Sequence, residues 1–136
     1  MLRSTRLCDA SAGFLAITGL SLLFASQELL PLLVPGFPPG MAWVGELVAS
    51  GWLALAALNW ANRKALLGGV SGRPVVLTNA LFYFTTMMTL LRLLGSRALP
   101  THSAPVLVPI AIFTVIYFRL LLRGPLGDDY ERFKRS

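Results

Sequence analysis

Residues 41–61 read MAWVGELVASGWLALAALNWA, and after a basic turn residues 75–94 read VVLTNALFYFTTMMTLLRLL. Each segment is long and apolar enough to form a helix across the hydrocarbon core of a bilayer, which is roughly 30 Å thick. Two further segments of this kind flank them, at about residues 11–33 and 104–123. The pattern predicts an all-α protein that folds as a bundle of four transmembrane helices.

The composition of the chain supports a membrane protein. Of its 136 residues, 55% are hydrophobic and only 13% are charged, and the mean hydropathy is +0.68. A water-soluble globule of this size needs more polar surface than that. The longest polar stretch is the tail, residues 124–136, so no water-soluble domain remains, and we interpret residues 1–136 as a single integral membrane domain whose main partner is the lipid bilayer.

The basic residues predict the orientation of the chain in the membrane. Ten of the twelve Lys and Arg residues precede the first segment, lie between the second and third, or lie at the end of the fourth and beyond. Only Arg92 and Arg97 lie near the loop between the third and fourth segments. Because basic residues concentrate on the cytoplasmic side, we expect both termini in the cytosol, N-in and C-in, and a plasma membrane location, in bacteria the inner membrane. This distribution explains the net charge of +6 without a nucleic-acid partner.

The N-terminus and the single cysteine and histidine bound the function further. Arg3 and Arg6 before an apolar run also fit a cleaved signal peptide, but we expect a retained helix because the run continues past residue 28 without a small-residue cleavage site. Cys8 and His102 are each the only residue of their type. They predict neither an internal disulfide nor a metal site, and we expect no cofactor.

Several polar side chains fall within the predicted spans. Charged groups at such depth are expected to face the interior of a bundle, preferably in pairs. Glu28, Glu46 and Arg92 lie in the outer halves of three different helices, so we predict a shared inward-facing network. The alternatives are that the glutamates are hydrated near the interface and that Arg92 extends outward along its own stem. The candidates for a ligand or proton site are Glu28, Glu46, Ser50, Thr85, Thr89 and Arg92.

Other residues receive structural interpretations. Asn59 and Asn79 lie at similar depth on antiparallel neighbours, which predicts a side-chain hydrogen bond that contributes about 0.6 kcal/mol. Asp9 is interpreted as a helix cap, and Trp60 as an interface anchor. The small residues of the first segment predict a packing face. Those residues are Ala12, Ala16 and Gly19.

The basic turn between the second and third segments has two interpretations. Its glycines and Pro74 are explained by chain reversal and by the start of a helix. Arg63, Lys64 and Arg73 are also candidates for a weak anion or lipid-headgroup site.

The second segment resembles the corresponding helix of the DoxX-like family of small four-helix membrane proteins. The residues that carry the resemblance are Gly45-Glu46-Leu47, the small-residue stretch through Ser50-Gly51 and the basic residue Arg63. The resemblance implies association with a membrane oxidoreductase complex, for example one that carries out thiosulfate:quinone oxidoreduction. This chain departs from the family pattern in its glycine-rich turn, and we carry no catalytic role over.

We therefore favour a non-catalytic accessory subunit or a small lipophile-binding bundle, because the sequence contains no nucleophile and base pair, metal cluster or nucleotide motif. The alternative is a small proton-coupled transporter, acting as a homo-oligomer, in which Glu46 titrates and Arg92 modulates it. In length and number of spans the chain is similar to the four-helix multidrug exporters. A membrane-embedded enzyme is the third and least supported hypothesis.

Overall fold

A computed structural model of the protein describes residues 3–65, 67, 72–96 and 104–123. All regular secondary structure in this part of the chain is helical, and the predicted all-α class is confirmed. Four of its helices are long and apolar enough to cross a membrane. The elements are α1 (Arg3–Phe24), α2 (Ser26–Leu33), a 3-10 turn (Pro39–Met41), α3 (Ala42–Ala61), α4 (Arg73–Gly95) and α5 (Ala104–Arg123). The predictions for Arg97, His102, Gly68 and Gly69 of the basic turn and the tail 124–136 lie outside the described residues.

The first predicted span, residues 11–33, is two helices rather than one. At Ala25 the backbone leaves the helical region, with φ −124° and ψ 30°, and the chain continues as α2. Pro31 lies inside α2. The membrane-length part is Thr5–Phe24, six residues earlier at its start than predicted.

The break allows α2 to pack on the start of α3. Gly45 makes this contact possible, because a Cβ atom there would lie 2.9 Å from Cδ1 of Leu30 and 3.0 Å from Cβ of Ser26. Both distances are shorter than ordinary van der Waals contacts. The position of α2 therefore depends on a glycine some fifteen residues further along the chain, which a local pattern does not reveal.

The long helices pack as two antiparallel pairs, α1 along α3 and α4 along α5. The buried stripe of α1 recurs at helical spacing and includes Ala12, Leu15 and Gly19. A Cβ atom at Gly19 would lie 3.1 Å from the Leu53 side chain of α3. The small residues of α1 thus bring its backbone close to α3, as expected for helix pairs in a membrane.

Aromatic side chains join the two helix pairs. Tyr83 of α4 stacks on Phe113 and Tyr117 of α5, with ring centroids 5.0 and 5.7 Å apart. Phe113 also contacts Phe14 of α1, at 5.7 Å between centroids. We call the end of the bundle formed by the starts of α1 and α4 and the ends of α3 and α5 the turn end, because α3 leads into α4 there.

Most of the remaining helix surface is apolar and exposed. Only 22–33% of the apolar window of each candidate span is buried within the chain. Large side chains such as Ile17, Leu81 and Val115 are more than 60% exposed. A surface of this kind is stable against lipid rather than water, which agrees with four membrane-crossing helices.

The contact between α2 and α3 can be tested with a pair of glycine variants. In Gly45→Leu the new side chain has no room beside Ser26 and Leu30, so we expect a loss of about 1–3 kcal/mol in the free energy of unfolding. Gly51→Leu is the matched control, because a side chain at Gly51 of α3 meets nothing within 4 Å. Reversible unfolding in mixed micelles measures both. Equal losses in the two variants would contradict the packing of α2 on α3.

Candidate functional site

The turn end of the bundle contains a buried pair of amides. The Asn59 side-chain nitrogen donates to Oδ1 of Asn79 at 2.9 Å, and the Asn79 nitrogen donates to Oδ1 of Asn59 at 2.6 Å. Both residues are fully buried. The structure thus has a reciprocal hydrogen bond, where the similar depth of the two amides predicted a single one. The pair joins α3 to α4.

Two further bonds extend this pair into a network. The second N–H of Asn59 donates to Oγ of Ser11 at 3.0 Å, and the second N–H of Asn79 donates to the carbonyl oxygen of Val75 at 2.8 Å. All four amide N–H groups therefore have acceptors. The Ser11 hydroxyl also bonds to the Tyr83 hydroxyl at 2.7 Å, with either oxygen as the donor. The network connects α1, α3 and α4 in a region where an unpaired polar group is costly.

One hydroxyl remains outside the network. Tyr117 is fully buried, and its hydroxyl has no hydrogen-bond partner among the described residues. Ser11, Tyr83 and Tyr117 together carry three hydroxyl protons, whereas the bond between Ser11 and Tyr83 uses only one. An unpaired hydroxyl is costly in such a buried position, so the Tyr117 hydroxyl reduces stability where it stands.

A groove of about 500 Å³ lies between α1 and α3. Each helix lines it with four residues at spacings i, i+3, i+4 and i+7, which places each set on one helix face. Seven residues of a helix rise by roughly 10 Å, so the groove has about that length. Five of its eight residues are alanine or glycine. The lining residues are Asp9, Ala12, Gly13, Ala16, Leu53, Ala56, Ala57 and Trp60.

The groove has polar groups at one end only. Asp9 and Trp60 line it at the turn end, and the guanidinium carbon of Arg63 lies 4.2 Å from the centroid of the Trp60 ring. This distance is typical of a cation–π contact. Asp9 was interpreted as a helix cap, but α1 begins at Arg3, so its carboxylate lies in the second turn. Trp60 was assigned only an anchoring role, yet it also forms part of the groove wall.

The predicted inward-facing network of Glu28, Glu46 and Arg92 is not present. All three side chains are exposed on the outside of the bundle, and no ion pair within the described residues joins them. Each lies close to a helix end. Glu28 is in the first turn of α2 and Arg92 in the last turn of α4, where the helix dipole favours these charges. Glu28 and Arg92 are therefore stabilised at the ends of their own helices and not by an ion pair inside the bundle.

The hydroxyl candidates also lie outside the core. The Ser50 hydroxyl donates to the carbonyl of Leu47 at 2.7 Å, and the Thr85 hydroxyl donates to that of Leu81 at 2.8 Å. Such bonds to the preceding turn are common for hydroxyls on membrane helices. Thr89 is exposed as well. These residues do not surround a pocket with Glu46 or Arg92.

The three basic residues of the turn differ in their exposure. Arg63 is half-buried against Trp60, whereas Lys64 and Arg73 are exposed. Of the three, the structure places only Arg63 next to a groove residue. No group of three or more His, Cys, Asp or Glu side chains lies together in the described part of the chain.

The groove had a signal in the sequence that was overlooked. Asp9, Ala12, Gly13 and Ala16 are spaced i, i+3, i+4 and i+7, and the same spacing recurs from Leu53 to Trp60. Two such faces on antiparallel helices form a shallow channel when the helices pack. The pattern was assigned only in part, as a packing face of the first span.

Fold and site together define a small, all-helical, multi-pass membrane protein with a polar network in its core and an apolar groove on its surface. Comparison with protein-family models, with curated proteins and with solved structures finds no match to the chain. The resemblance to DoxX-like proteins therefore stays a prediction.

The two buried tyrosines should differ in how the loss of the hydroxyl changes the stability of the protein. Tyr83→Phe removes the bond to Ser11, and we expect it to cost about 0.5–1.5 kcal/mol of stability. Tyr117→Phe removes an unpaired donor and keeps the stacked ring, so we expect no loss or a gain of up to about 1 kcal/mol. The two variants differ from the wild type by the same single atom. A loss in Tyr117→Phe as large as that in Tyr83→Phe would contradict the network described above.

Proposed function

We propose that the protein is a non-catalytic membrane protein that binds a lipophilic molecule in the groove between α1 and α3. The observation that supports this most is the groove itself. It combines an apolar floor of small residues with a polar end formed by Asp9 and Trp60. A linear acyl chain enters this groove from the surrounding lipid without any separation of the helices.

The physical basis of selectivity in this groove differs from that in a water-soluble protein. A ligand that leaves the bilayer for the groove exchanges one apolar environment for another, so the hydrophobic effect gives little affinity. What remains is close packing against Ala and Gly residues and contact with the polar end. The groove therefore favours a molecule with a slender chain and a headgroup that reaches Asp9 and Arg63.

The cellular setting follows from the charges and from the resemblance. The turn end carries Arg6, Arg63, Lys64 and Arg123, which supports an orientation with this end in the cytosol and a plasma membrane location. An accessory role beside a membrane oxidoreductase, or an assembly of several copies, fits a small bundle with so much exposed apolar surface. In either case the lipophile would lie next to the partner.

The transporter hypothesis lacks a comparable observation. Glu46 is exposed on α3 and is not among the residues that line the groove. A titrating carboxylate in a transporter is expected to face a wet cavity or a partner helix. Transport coupled to Glu46 stays a prediction from the sequence.

Two exposed alanines of α3 provide a test of lipophile binding. Ala57 lines the groove and Ala54 does not, although both side chains face away from the core. We expect the Ala57→Trp side chain to fill the groove and to reduce labelling of α1 and α3 by a photoreactive diacylglycerol several-fold. The Ala54→Trp variant should be labelled like the wild type. Peptide mapping by mass spectrometry measures the labelling. If Ala57→Trp labels α1 and α3 as strongly as Ala54→Trp does, the proposal is wrong.

A further inference from the structure

The polar end of the groove carries two opposite charges that the protein does not pair with each other. Asp9 lines the groove, and Arg63 lies over the ring of Trp60, which also lines it. Neither side chain forms an ion pair with another described residue. Both are half-buried, so each is partly removed from water and gains from a charged ligand more than a fully exposed group would.

The two charges set limits on the ligand that occupies the groove. A purely anionic headgroup gains from Arg63 but brings a negative charge next to the Asp9 carboxylate. A purely cationic amphiphile gains from Asp9 but is repelled by Arg63. A headgroup with a phosphate and a nearby cation satisfies both side chains at once, because guanidinium binds phosphate in a bidentate manner and carboxylate accepts hydrogen bonds from an ammonium group.

The nature of the cation follows from the chemistry of Asp9. A carboxylate accepts hydrogen bonds, and a primary ammonium group offers three N–H donors. A trimethylammonium group has the same charge but no N–H, and its methyl groups keep the charge further from the carboxylate oxygens. The Asp9 side therefore favours an ethanolamine headgroup over a choline headgroup.

We propose that the groove is a binding site for phosphatidylethanolamine, with one acyl chain along the Ala and Gly floor, the phosphate at Arg63 and the ammonium group at Asp9. The proposal rests on the lipophile-binding function proposed above and names its ligand. Trp60 acts as a positioning residue, since it holds the Arg63 guanidinium beside the groove. Selectivity for this lipid thus comes from its headgroup, and the acyl chain contributes close packing in the groove.

The test compares three lipids with identical acyl chains, phosphatidylethanolamine, phosphatidylcholine and phosphatidylglycerol. Each is added to delipidated protein in detergent, and bound lipid is counted by native mass spectrometry. We expect the wild type to retain phosphatidylethanolamine about 2- to 5-fold more than the other two, the range of one partly exposed charge pair. Asp9→Asn should remove the preference over phosphatidylcholine, and Asp9→Glu should keep it.

The basic side has its own matched variants. Arg63→Gln should lower retention of all three phospholipids relative to diacylglycerol. Arg123→Gln, an equal change of charge at an exposed residue of the turn end, should leave retention unchanged. Equal retention of the three phospholipids by the wild type, with diacylglycerol labelling still blocked by Ala57→Trp, would overturn the headgroup site and leave the lipophile groove standing. Retention that Ala57→Trp does not alter would overturn both proposals.

Discussion

The structure depends on the reciprocal hydrogen bonds between Asn59 and Asn79. Helices in a bilayer gain little from burying apolar side chains against one another, because lipid is equally apolar. Polar groups in such a setting must find partners, and a pair that satisfies every donor links its two helices specifically. The amide pair joins α3 to α4, and its bond to Ser11 adds α1. The aromatic stack of Tyr83, Phe113 and Tyr117 then attaches α5 to the same region.

The two ends of the bundle are thus held by different kinds of contact. Specific polar and aromatic contacts are concentrated toward the turn end, where Asn59, Asn79 and Tyr117 are fully buried. At the opposite end the contacts are those of small residues, as where α2 packs on Gly45. The groove runs along the outside of the bundle toward the turn end, between α1 and α3, whose spacing is fixed by Ala and Gly contacts. A groove held open in this way keeps its shape without a ligand.

The sequence predicted the helices well because their limits depend on local features. The bounds of α3 and α5 agree with the predicted spans to within a residue, since apolar length and flanking turn residues set them. The break at Ala25 was missed because it reflects a contact of α2 with Gly45, which is distant in sequence. The amide pair was predictable, because two asparagines at equal depth on adjacent antiparallel helices have few other partners.

The position of the charged groups was not predictable for a physical reason. In a water-soluble protein the polar face of a helix marks the outside, but in a membrane protein both the core and the lipid-facing side are apolar. The spacing of Glu46 and Ser50, or of Thr85 and Arg92, therefore identifies a face without saying which way it points. The role of the Ser11 hydroxyl in the network was not predictable either. Hydroxyls on helices usually bond to the backbone of their own helix, as that of Thr18 does, whereas Ser11 bonds to side chains of other helices.

The most direct measurement of the central claim is a double-mutant cycle on the amide pair, with Asn59→Leu, Asn79→Leu and the double variant unfolded reversibly in mixed micelles. Each single variant leaves a buried amide without its partner and should lose about 1–3 kcal/mol of stability. The double variant should lose less than the sum of the two, by at least about 0.5 kcal/mol. Losses that simply add, or single variants as stable as the wild type, would contradict the account in which this pair holds the bundle together.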